Sequence, residues 1–143
     1  MTTVVVLAAA LVLALALAAA GLRRVPAQNA RPVRRLGRHR RILGPGWHWI
    51  VPLLERTGRD VDLIGHRLRV DAGPALRRAE LYYQIVDPEK AGAALEAVDE
   101  FVAGQAREAL DAGGRSPDQL KLELNRRLGR FGLRVIRCSM LVP

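Results

Sequence analysis

Cysteine, lysine and aromatic residues are all scarce in this chain of 143 residues, and its first 22 residues carry no charged side chain. Cys138 stands alone, which excludes an intramolecular disulfide and any multi-cysteine metal centre and fits a reducing compartment. Aromatics make up 4% of the residues, too few for the stacking platforms that single-stranded nucleic acids use. His39, His48 and His66 are widely spaced, with no HExxH or paired-carboxylate spacing near any of them, so they are expected as surface or hydrogen-bonded side chains. Cys138 and Ser139 lie in a β-prone segment with no histidine close by, and a packed thiol is expected there rather than a nucleophile. Leu43-Gly44-Pro45-Gly46 lacks the Lys-Ser/Thr of a phosphate loop and places proline where a donor N–H is needed; it reads as a turn. Asp60 and Asp62, two apart on a predicted strand, share one face, but no third acid or metal-loop glycine accompanies them. These residues assign no catalytic group, metal site or cofactor.

What is present is a long apolar run followed at once by arginine. Val4 to Leu22 is nineteen residues of Val, Leu, Ala and one Gly, and at about 1.5 Å per residue a helix of that length spans the roughly 30 Å hydrocarbon layer. The rival reading is a cleaved signal peptide, for which Ala18-Ala19-Ala20 would supply small residues. A signal wants positive charge before its apolar run, whereas Met1-Thr2-Thr3 offers only the α-amino group. Arg23, Arg24, Arg31, Arg34, Arg35, Arg38, Arg40 and Arg41 all follow it instead. The positive-inside rule then places the N-terminus outside and the remainder in the cytoplasm. Those eight belong to a total of 23 Lys+Arg, leaving 15 against 14 acids elsewhere, so the basic excess is local. Three readings of the cluster stand: contact with anionic lipid headgroups, a topology signal alone, or nucleic-acid binding. The last lacks a recognised motif, and no nucleic acid is expected.

The rest of the chain is long enough for one domain. The segmentation is an anchor over 1–22, a basic linker over 23–32 and a folded domain over 33–143. Val33 to Arg41 predicts a basic strand, and Leu43 to Gly46 the turn that reverses it. Trp47, Trp49 and Ile50 form an apolar patch soon after the anchor; they fit either a membrane-contacting edge or the core beneath a sheet. Val61–Val70 and Ala79–Val86 alternate as strands and are expected to pair across a turn at Asp71-Ala72-Gly73-Pro74. Asp87-Pro88 predicts a helix start before Glu89–Val98, and a second helix follows over Asp99–Leu110 with Phe101, Val102, Ala106, Ala109 and Leu110 on one face. Gly113-Gly114 ends it, and Ser116-Pro117-Asp118-Gln119 opens a third as a capping box, with Leu120, Leu124, Leu128 and Phe131 as its stripe. Gly132 stops that helix and Leu133–Val142 returns as a strand, which makes the fold class α+β.

These parts, in this order, resemble the stomatin/prohibitin group, the SPFH or band 7 domain. Arg35-Leu36-Gly37-Arg38 is similar to a turn near the family's start. Leu43-Gly44-Pro45-Gly46-Trp47-His48-Trp49-Ile50-Val51-Pro52 resembles its Leu-Gly-Pro-Gly-Leu-His-aromatic-Ile-x-Pro signature at nearly every place. Arg59-Asp60-Val61-Asp62-Leu63, the block Tyr82-Tyr83-Gln84-Ile85-Val86-Asp87-Pro88-Glu89-Lys90-Ala91 and Phe131-Gly132-Leu133-Arg134-Val135 are similar to later family motifs. The segment between Val70 and Ala79 is shorter than the family's hairpin, the stretch between the helices is abbreviated, and the chain stops at Pro143 where longer relatives continue into a coiled coil. The resemblance implies a non-enzymatic scaffold on an antiparallel sheet with helices packed on it. Its expected partners are anionic membrane lipids and membrane proteins, a membrane protease or an NfeD-type protein among them. Self-association is expected to be weak, or to proceed as a hetero-oligomer with longer relatives.

Overall fold

A computed structural model describes residues 1–72, 77–113 and 116–141. The apolar run forms helix α1 (Thr2–Gly21), and the chain passes from it into strand β1 (Leu22–Val25) with no spacer. β2 (Asn29–Arg35) follows after a short turn, so residues 23–32 are two strand segments and not a linker. The expected single strand over Val33–Arg41 is also corrected. Leu36 and Gly37 have φ of 50° and 78°, the two positive values a primed two-residue hairpin turn requires, and they fold β2 back onto β3 (Arg38–Leu43). β4 (Gly46–Trp49) pairs antiparallel with β1, setting Leu22 opposite Trp49. β5 (Glu55–Thr57) and β6 (Val61–Asp62) both pair antiparallel with β2, at its two ends. Val25, Val33, Leu43 and Ile50 bury between these ribbons as a small core.

The second layer begins after Gly65, whose φ of 86° breaks the strand expected over Val61–Val70. β7 (His66–Ala72), β8 (Arg77–Ile85) and β9 (Leu133–Leu141) form an antiparallel sheet with β8 in the centre. The expected pairing of the two strands is present, with Leu68 opposite Leu81 and Val70 opposite Ala79. Gly73 and Pro74 of their predicted turn lie outside the described residues, as do Gly114 and Val142. Between β8 and β9 come α2 (Pro88–Ala91), a 3₁₀ segment (Gly92–Ala97), α3 (Val98–Asp111) and α4 (Pro117–Leu128). The helix expected over Glu89–Val98 therefore lasts one turn before tightening. Asp87 caps α2 through Oδ1, which accepts from the backbone N–H groups of Glu89 and Lys90, and Pro88 takes the first helical position. Ser116 Oγ accepts from the Gln119 N–H at 3.3 Å, the first half of the predicted capping box.

Alternation on β8 sends Ala79, Leu81, Tyr83 and Ile85 inward, where they meet Val102 and Ala106 of α3 and Leu120, Leu124 and Leu128 of α4. Each leucine so buried contributes about 1.5–3 kcal/mol, enough to hold α4 on the sheet. Phe101 and Phe131 complete the stripes from their half-buried rim, edge to face with centroids 4.8 Å apart.

Candidate membrane-contacting surface

α1 is long and apolar enough to cross a membrane and is exposed along nearly its whole length. A helix apolar all round and unpacked needs an apolar medium. Its last turn joins the β ribbon through named contacts. Trp49 Nε1 donates to the Ala18 carbonyl at 3.0 Å, and the Ile50 N–H donates to Gly21 O at 2.8 Å. Gly21 is buried there, and a Cβ on it would lie 2.5 Å from both Ile50 O and Trp49 Nε1. Only glycine lets the ribbon sit this close to the helix end.

Register fixes which end of the β layer is near α1. β1 runs away from the helix, so antiparallel β4 returns to it, and Trp49 arrives level with Leu22. The turn Val51–Leu54 follows, closed by the Glu55 N–H donating to Val51 O and by Glu55 Oε2 accepting from the Val51 N–H. β5 then leaves this end with Glu55 opposite Arg35, so the Leu36-Gly37 turn of the β2–β3 hairpin comes to the same end. Two loop tips and the end of a membrane-length helix thus lie together. The tips carry Leu36, 81% exposed, and Leu53, 95% exposed, with Leu54 beside it. Leu36 and Leu53 hold φ of 50° and 73°, a region that costs a side chain such as leucine roughly 1–2 kcal/mol. A bulky apolar residue held in strain and displayed to the outside makes these tips the candidate surface for apolar contact. Composition alone could not single these leucines out from the others of the chain.

Of the expected patch, Trp47 and Trp49 are exposed, Trp47 with the Arg24 guanidinium 5.8 Å from its ring centroid. Ile50 is corrected: it is 5% exposed and belongs to the core with Val25, Val33 and Leu43.

The arginine cluster divides in two. Arg31 grips Asp60 with Nε and Nη2 at 2.6 and 2.8 Å, which holds the Asp60 carboxyl below its usual range. Arg34 binds both oxygens of Glu96, and Arg41 donates to Trp49 O at 2.8 Å and reaches Glu55 at 3.4 Å. These three brace the fold. Arg23, Arg24, Arg35, Arg38 and Arg40 are exposed and ion-pair with no acid among the described residues. Arg35 and Arg38 stand opposite each other at the base of the Leu36 turn.

The remaining motif residues do architectural work at scattered places. Gly44 offers its carbonyl to His48 Nε2 at 2.8 Å across the turn through Pro45, and Gly46 has φ of 121°. Pro52 lies in the leucine-bearing turn. The Asp62 carbonyl faces His66 Nε2 at 2.5 Å, and Asp60 lies just before β6 instead of sharing a strand face with Asp62. His66 stacks on Tyr83 with centroids 4.8 Å apart. Tyr83 is buried, its hydroxyl donates to Asp99, and burial pushes its pKa well above the ordinary phenol value. Tyr82 takes the opposite face of the sheet with the Arg67 guanidinium 5.7 Å from its ring centroid. Asp87 and Pro88 start α2. The Cys138 thiol is half-buried, and that burial raises its pKa. Among the described residues no three or more His, Cys, Asp or Glu side chains are grouped to hold a metal. No protein-family model matches the chain, and no curated protein matches it either.

Proposed function

We propose that this chain is a single-span, membrane-anchored scaffold of the stomatin/prohibitin (SPFH) type, whose β layer sits on the cytoplasmic leaflet and whose partners are anionic lipids and neighbouring membrane proteins. The observation that carries the reading is the convergence of the α1 end, Trp49, Leu36, Leu53 and Leu54 at one end of the β layer. Tryptophan favours the headgroup level, where its ring and its N–H both find partners. Exposed arginines beside such a tip gain roughly 1 kcal/mol each from an anionic surface. The scaffold acts by position and contact, holding a rigid α+β domain at fixed depth.

Trp47 and Trp49 are the only tryptophans, so Trp47→Phe and Trp49→Phe each leave one reporter. In vesicles of the full chain, lipid brominated near the headgroup quenches Trp49 emission; emission indifferent to bromine depth overturns the seating.

A further inference from the structure

β2 and β5 place Arg34 directly opposite Arg56. Opposed side chains leave the same face of a ladder, and like charges in that position destabilise it. The site nevertheless gathers a third guanidinium, Arg59, around a hollow of about 350 Å³ whose apolar lining includes Pro32 and Val61. The loop from β5 to β6 is tied to β2 by the Gly58 N–H donating to Pro32 O at 2.8 Å, and Arg56 and Arg59 on either side of it line the same hollow. Glu96 is the one acid in the lining, and both of its oxygens are taken by Arg34. Arg56 and Arg59 ion-pair with no acid among the described residues. Two free guanidiniums over an apolar floor suit a phosphate, whose oxygens accept the paired N–H donors of each arginine.

Depth identifies the source of that phosphate. The Arg34–Arg56 pair is one residue along from Arg35–Glu55, and the leucines of the two tips come next. At about 3.3 Å per residue the Arg34–Arg56 pair lies roughly 7 Å from the tip, and the hollow runs on from that pair past Gly58 to Arg59, away from the tip. An apolar surface settles about 5–10 Å into the headgroup and acyl boundary, which brings the Arg34–Arg56 end of the hollow level with lipid phosphates, with Arg59 reaching toward them from the cytoplasmic side. We infer that this hollow binds the phosphate of an anionic phospholipid, a phosphomonoester in preference to a diester, with Arg56 and Arg59 as its ligands and Arg34, pinned by Glu96, as the third wall. Monoester preference follows from charge, since a second negative charge matches the second free guanidinium. The lipid source rests on the membrane-seated reading, whereas the phosphate chemistry stands without it.

The test is calorimetric titration of the full chain in a neutral detergent with dihexanoyl phosphatidic acid, dihexanoyl phosphatidylcholine and inorganic phosphate. The phosphatidic acid should saturate one site per chain and bind more tightly than the other two. The R56Q/R59Q variant should weaken it by about tenfold or more, as loss of charge-assisted hydrogen bonds does, while R126Q/R130Q on the far helical side leaves it unchanged. E96Q, which removes the competing carboxylate, should tighten binding and keeps the proposal testable should R56Q/R59Q misfold. Equal affinity in wild type and R56Q/R59Q, or equal loss in R126Q/R130Q, overturns the site. Inorganic phosphate binding as tightly as the lipid overturns the lipid assignment. Tryptophan quenching is read separately: quenching without phosphate binding removes this site and leaves the seating, and the reverse result removes the seating alone.

Discussion

Leu36 and Leu53 are the residues at which local preference and observed conformation disagree most. Asparagine tolerates their positive φ far better than leucine, and Asn-Gly is the favoured pair for a turn such as Leu36-Gly37. Leu36→Asn and Leu53→Asn should therefore each stabilise the folded domain by up to about 1 kcal/mol, measured by chemical denaturation, while reducing bromolipid quenching of the neighbouring Trp49. A destabilised domain would show that the leucines are there for packing. Gly132 is the opposite case, since its φ of 68° and a Cβ that would lie 2.2 Å from the Asp87 carbonyl oxygen leave no room for alanine. Gly132→Ala should cost more than about 2 kcal/mol, because strain and a backbone clash act together. Tyr83 carries the alkaline response. Its folded-state pKa is raised, so the hydroxyl's contribution is whole below the unfolded value near pH 10 and fades as pH rises above it. Tyr83→Phe should flatten that limb of the stability profile.

At the scale of elements, the junction of α1 with the β1–β4 ribbon fixes how the apolar helix joins the β layer, and on the proposed function how the domain meets the membrane. Gly21→Val would drive Ile50 and Trp49 away from the helix end, breaking the Ala18 and Gly21 contacts while both strands keep their own ladder. Proteolysis between α1 and β1 should then speed up severalfold with the melting temperature of the domain little changed. Helix ends were readable from side chains because caps are local: Asp87-Pro88 and Ser116-Pro117 start α2 and α4 where their hydrogen bonds require. The β2–β3 hairpin was indicated only by the resemblance of Arg35-Leu36-Gly37-Arg38 to a family turn and not by its residue types, because Leu36-Gly37 lacks the asparagine or aspartate that announces such a turn. An arginine-rich run over both strands then reads as one. The break after Ala91 falls at Gly92, whose φ of 54° ends α2, but a glycine inside an alanine-rich run reads as a tolerated helix residue and so was missed.

Across the whole molecule two cores meet, one between the β ribbons and one between the β7–β9 sheet and its helices. Arg34–Glu96 bridges from β2 to the 3₁₀ segment of the other layer, and the Leu63 carbonyl accepts from the Ile85 N–H at 2.7 Å. On the proposed anchoring by α1, the arginines that follow it predict, by the positive-inside rule, an outside N-terminus and a cytoplasmic domain. With Cys138→Ser as background, a cysteine at Thr2 should label from outside the cell and one at Arg40 only after permeabilisation; the reverse pattern would defeat the orientation.

The apolar run, the local basic excess, the α+β class and the leucine stripe of α4 were determined by sequence alone, because charge, composition and helical period act through neighbours a few residues away. Which arginines are free and which are braces, the burial of Ile50 and the meeting of Leu36 with Leu53 were decided only by tertiary structure. Arg31 and Asp60 are 29 residues apart, and Arg34 and Glu96 are 62 apart. Strand register brings the two leucine tips together across the Arg35–Glu55 pair. A register is settled by the burial of a whole strand face, and no single residue in the sequence carries that information.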